Sequence, residues 1–145
     1  MTGEDLHRKY VKDIFDRLGD QRAKDLVDDA DGVPDLRERI ALLHRALRYG
    51  RRSIQSKKAY QSLGLTYEEL GKPSLAIRNY TKAIVLGEAL DIAPVPILYR
   101  RGFLYYQRGE TEAARHDLEQ ALAMDDFGLL YRDYQGRARR LLTEL

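Results

Sequence analysis

Histidines and carboxylates are the side chains here with the means to do chemistry. Cysteine is absent from the 145 residues, which excludes disulfides and thiolate metal sites. The three histidines, His7, His44 and His116, lie far apart in sequence, and none has a partner at metal-ligand spacing. His116 and Asp117 are adjacent, so on a helix they point about 100° apart. The stretch LVDDADGVPDLRE puts Gly32 and Glu38 at the sixth and twelfth positions of a calcium loop, but Val27 stands where the first ligand belongs. There is no phosphate-binding glycine loop and no activated nucleophile pattern. The expectation is a protein without catalysis, cofactor or metal.

The surrounding elements must therefore serve some other purpose. Hydrophobic residues make up 43% and charged residues 33%, an ordinary soluble globular composition, and the length suits one domain with a real core. No run approaches the roughly 18 apolar residues of a membrane span. The opening MTGEDLHRKY carries acids and no apolar stretch, so no secretory signal is read there. A cytoplasmic location is expected.

Net charge is only +2, yet the charges are sorted along the chain. Asp25, Asp28, Asp29, Asp31, Asp35 and Glu38 share the segment 25–38 with one base, Arg37. From Arg39 to Tyr67 there is no acid, against Arg39, Arg45, Arg48, Arg51, Arg52, Lys57 and Lys58. Two readings follow: neighbouring helices that neutralise each other, or an electrostatic docking surface.

A repeat organises the rest. A shift of 38 residues brings Gly64 onto Gly102, Tyr67 onto Tyr105, Gly71 onto Gly109, Ala76 onto Ala114 and Ala83 onto Ala121. A fixed period in this range means stacked structural units. Each unit reads as two helices. Tyr60, Leu63, Gly64 and Tyr67 follow the i, i+3, i+4, i+7 rule. Gly71-Lys72-Pro73 ends that helix and opens the next, which carries Ala76, Tyr80, Ala83 and Ile84. The second unit has Leu98, Gly102 and Tyr105, a turn at Gly109-Glu110, then Ala114, Leu118, Ala121 and Leu122. Gly64 sits mid-helix, where it costs about 1 kcal/mol against alanine. Small residues at Gly64, Ala76 and Ala83 are what two helices need where they cross closely.

The order aromatic, leucine, glycine, aromatic, then glycine, alanine, aromatic, alanine resembles the tetratricopeptide repeat. Tyr60, Leu63, Gly64, Tyr67, Ala76, Tyr80 and Ala83 match its signature positions. The second copy departs at Arg101, usually leucine, and has Leu98 and Leu118 where aromatics are common. Glu88 and Asp126 stand where a late proline is usual. The 38-residue spacing exceeds the roughly 34 of the family by about one helical turn, read as a longer second helix through GEALDI stopped by Pro94 and Pro96. A degenerate copy precedes these, with Ala23, Leu26, Val27 and Ala30, then a capping-box-like start at Asp35 and Glu38 and buried Leu36, Ile40, Leu43 and Leu47. Arg39 replaces the expected alanine.

The resemblance implies an all-α, right-handed superhelical solenoid of helix-turn-helix repeats. Its expected parts are an N-terminal extra helix (1–19) breaking near Gly19, a degenerate repeat (20–53), repeats at 57–90 and 95–128, and a capping helix (129–145). Leu130, Tyr134, Ala138, Leu141 and Leu145 would form the capping stripe, with arginines opposite. The resemblance also implies a concave groove lined by the first helices. Carried over, its positions are Gln21, Lys24, Asp28 and Asp31; Lys58, Gln61, Leu65 and Glu68; and Pro96, Tyr99, Phe103 and Tyr106. The aromatic trio either packs on the C-terminal helix or contacts ligand. A subclass that grips a C-terminal carboxylate is matched only at Lys24 and Arg100, while Asp28, Ser62 and Pro96 break that pattern.

A protein-interaction scaffold or adaptor is the function this implies, its partner a peptide or helix with apolar anchors beside basic residues. The alternatives are nucleic-acid binding through the basic 39–58 segment and a self-assembling structural subunit, a homo-oligomer.

Overall fold

The computed structural model describes residues 1–51, 53–124 and 129–145, with side chains from 131 onward in the last segment. Arg52, Asp126 and the Leu130 side chain, used above, lie outside it. Seven helices and no strand occur among the described residues: α1 (Gly3–Asp31), α2 (Leu36–Tyr49), α3 (Ile54–Glu69), α4 (Pro73–Ala89), α5 (Val95–Gln107), α6 (Thr111–Ala123) and α7 (Leu129–Glu144). They pair as hairpins α1/α2, α3/α4 and α5/α6. The hairpins stack through α2–α3 and α4–α5, and α7 closes over α5 and α6. This is the all-α repeat solenoid expected from the sequence.

The turns follow from the glycines that open them. Gly71 has φ +69° and Gly109 φ +75°, left-handed values that cost glycine little. The Lys72 N–H donates to the Tyr67 carbonyl at 2.9 Å, and the Glu110 N–H donates to the Tyr105 carbonyl at 2.9 Å. The same helix stop is thus built twice, after which Pro73 opens α4.

At the α3–α4 crossing, a Cβ on Gly64 would overlap the ring of Tyr80, which is fully buried. The glycine is a seat for that ring. In the next hairpin Leu118 replaces the tyrosine, and a Cβ on Gly102 would stand 3.2 Å from Leu118 and Asp117, a looser fit. Ala76, Ala83, Ala114 and Ala121 are all buried. In the first hairpin Leu26, Val27 and Ala30 pack with Leu43 and Ala46. Asp35 caps α2 by accepting the Glu38 N–H at 2.9 Å.

Two expectations are corrected. The chain does not break near Gly19, because α1 runs unbroken for 29 residues. A Cβ at Gly19 would stand 2.8 Å from the Tyr49 carbonyl oxygen, so this glycine admits the end of α2. Before it, Leu6, Tyr10, Phe15 and Leu18 are exposed. Pro94 and Pro96 do not stop α4 either. It ends at Ala89, where Asp91 turns at φ +60° and the Ile92 N–H donates to the Gly87 carbonyl at 2.8 Å. The prolines open α5 instead, Pro94 as its N-cap. The extra helical turn is real: α4 has 17 residues and α6 has 13.

Candidate partner-binding groove

The groove positions fall on α1, α3 and α5, the first helices of the three hairpins. On α1, Gln21, Lys24, Asp28 and Asp31 are exposed. Two of them pair with each other, the Lys24 ammonium donating to Asp28 at 2.6 Å, and Gln21 donates to Asp25 at 2.9 Å. On α3, Lys58 is exposed, while Gln61 and Leu65 are half-buried. Gln61 accepts a hydrogen bond from Lys57 at 3.2 Å.

A true concavity forms farther along. Glu68 of α3, Tyr99, Arg100 and Phe103 of α5, and Tyr134 and Arg137 of α7 line a cleft of about 200 Å³. Spacing explains the α5 contribution, since residues 99 and 103 are one helical turn apart. Tyr99 and Phe103 stack at 6.3 Å between ring centroids, and Tyr99 meets the Tyr134 ring at 5.9 Å.

The aromatic trio is partly covered. Tyr99, Phe103 and Tyr106 pack beside the buried cluster of Leu118, Ala138 and Leu141. The Tyr106 hydroxyl donates to Glu144 at 2.9 Å, and that bond raises its pKa. Tyr99 and Phe103 nevertheless stay half-buried, with the cleft on their open side. Pro96 lies in the first turn of α5.

Electrostatics inside the cleft differ from what charge counting suggests. Glu68 accepts the Tyr80 hydroxyl at 2.7 Å and the Arg100 guanidinium at 3.3 Å. Burial, then the Glu68 hydrogen bond, pushes the Tyr80 hydroxyl far above the usual tyrosine range, so Tyr80 stays a donor. Glu68 is therefore a strut between helices. Arg137 pairs with Asp133 at 2.8 Å and stands 5.7 Å over the Tyr134 ring.

The side chains of the basic segment meet different surroundings. Arg39, in place of the expected alanine, donates to the Val33 carbonyl at 3.0 and 2.8 Å and reaches Glu69 at 3.4 Å. Lys57 is half-buried, and burial lowers its pKa. Arg45, Arg48, Arg51 and Lys58 are exposed. No ion pair among the described residues joins the acidic 25–38 segment to the basic 39–58 segment.

Two structural polar contacts escaped sequence reasoning. Arg101 forms a two-pronged pair with Asp117, at 2.7 and 2.6 Å, and a bond to Thr81 at 2.9 Å. The repeat offered a signal: at the 38-residue shift, Leu63 becomes Arg101 and Asn79 becomes Asp117 together. Gln135 is buried and donates to the Ala121 and Met124 carbonyls at 3.3 and 3.2 Å, fixing α7 against the end of α6.

Comparison with known proteins agrees with this architecture. Tetratricopeptide repeat family models match residues 57–86 and 95–126. No curated protein matches the chain.

Proposed function

This chain is a tetratricopeptide repeat protein, and from that premise we propose that it is a non-catalytic scaffold or adaptor holding a partner's peptide or helix in its concave groove. Repeats of this family are generally protein–protein interaction modules. No described helix is long and apolar enough to cross a membrane.

The observation that carries the reading is the cleft over Tyr99 and Phe103. Aromatic rings held stiffly on a helix lose little entropy on contact and serve as anchors at binding hot spots. Apolar side chains of the partner enter there. Its lysines or arginines meet the exposed Asp25, Asp28 and Asp31 on α1, where charge complementarity sets orientation and rate.

The test is to isolate a partner by pull-down and mass spectrometry, then titrate the purified partner calorimetrically. Tyr99→Ala with Phe103→Ala, and separately Asp28→Lys with Asp31→Lys, should each weaken binding. A partner that binds both variants as tightly as the parent would refute the groove reading.

A further inference from the structure

A second cleft, of about 390 Å³, opens between the C-terminal ends of α2 and α4 above the start of α3. It shares no lining residue with the Tyr99–Phe103 cleft. Its apolar lining is Leu47, Tyr60, Val85 and Leu86. Val85 is 59% exposed, an apolar side chain left in water on a helix that otherwise buries its apolar face.

The polar lining has one sign. Arg51 and Lys82 border the cleft and no acid does. Lys82 stands 5.3 Å over the Tyr60 ring, and among the described residues neither cation has an ion-pair partner. Thr81, also in the lining, is already engaged by Arg101 and by the Ile77 carbonyl. The two segments that supply the whole lining, residues 39–67 and 73–87, contain no acid. Two unneutralised cations beside a wet apolar floor favour a ligand that brings both negative charge and an apolar group.

We infer that this cleft is a second docking site, taking an acidic segment of a partner protein that inserts an apolar side chain. A phosphate backbone would satisfy Arg51 and Lys82 but leave Val85 and Leu86 uncovered, so the apolar floor favours the acidic peptide.

The probe is a fluorescein-labelled peptide alternating leucine and phenylalanine with pairs of glutamate, titrated into the full chain by anisotropy. A version with lysine for glutamate and a single-stranded oligonucleotide serve as competitors. Saturable binding is expected, weakened at least ten-fold by Arg51→Glu with Lys82→Glu and by Val85→Asp. It should fall with added salt and be unaffected by Tyr99→Ala with Phe103→Ala, which separates this site from the concave groove. Helical circular dichroism checks that each variant is folded. Absent saturation, equal binding of the lysine peptide, or stronger competition by the oligonucleotide each overturns the proposal.

Discussion

Arg101 on α5 and Asp117 on α6 face each other through two hydrogen bonds, at 2.7 and 2.6 Å, with Asp117 only 1% exposed. One hairpin earlier the equivalent residues are Leu63, fully buried, and Asn79, which bonds the Leu75 carbonyl at 2.8 Å. The two hairpins thus fill the same space with different chemistry. A buried ion pair is not more stabilising than apolar packing, but half of one is strongly destabilising.

Arg101→Leu should therefore lower stability by about 3–5 kcal/mol, because the Asp117 carboxylate is left buried and unpaired. Adding Asp117→Asn recreates the Leu63–Asn79 arrangement and should restore most of the loss. Urea denaturation of both variants measures this. A double variant as weak as the single would show that the equivalence between hairpins is wrong.

The two mid-helix glycines should respond differently to alanine. Gly64→Ala gains about 1 kcal/mol of helix propensity but drives a methyl group into the buried Tyr80 ring. Overpacking of that kind costs about 1–3 kcal/mol, so a net loss is expected, and a larger one for Gly64→Leu. Gly102→Ala meets only the bendable Leu118 side chain and the Asp117 Cβ at 3.2 Å, and should be near neutral. Thermal melts that rank the two alanine variants the other way would displace the crossing point.

Tyr80 predicts an alkaline sensitivity. Its folded pKa is raised above the ordinary 10.0 by burial and by Glu68, so the folded state holds the proton that the unfolded state releases. This contribution is fully present below pH 10.0 and is lost as pH rises toward the folded value. Denaturant midpoints should decline more steeply above pH 10.0 in the parent than in Tyr80→Phe. Parallel curves would mean that the hydroxyl does not titrate as placed.

In the groove, Tyr99→Ala with Phe103→Ala removes rings that both border the cleft and touch the Leu118–Ala138–Leu141 cluster. A modest fall in melting temperature is expected, together with a loss of partner affinity of about 2 kcal/mol or more, the hot-spot scale. Unfolding without a folded variant to titrate would assign these rings to packing on α7 alone.

The sequence by itself determined what depends on near neighbours. The 38-residue repeat, the glycine stops at Gly71 and Gly109, the proline opening α4 and the apolar stripes are local, since a turn or a helix face is specified within a few residues. Gly64 was legible as a crossing point because it falls within an apolar stripe and recurs as Gly102 one unit later.

Tertiary structure decided which helix each polar side chain meets, a matter of residues 12 to 38 apart. Glu68 reads as a groove acid until the stacking of α3, α4 and α5 hands it to Tyr80 and Arg100. Gly19 reads as a break until the Tyr49 carbonyl is set against it. The aromatic trio's two readings met only when α7 docked over part of the stripe and left Tyr99 and Phe103 at the edge of a cleft. Burial makes such pairings compulsory, because a charge or hydroxyl removed from water must find a partner. Which partner it finds is fixed by how the hairpins stack.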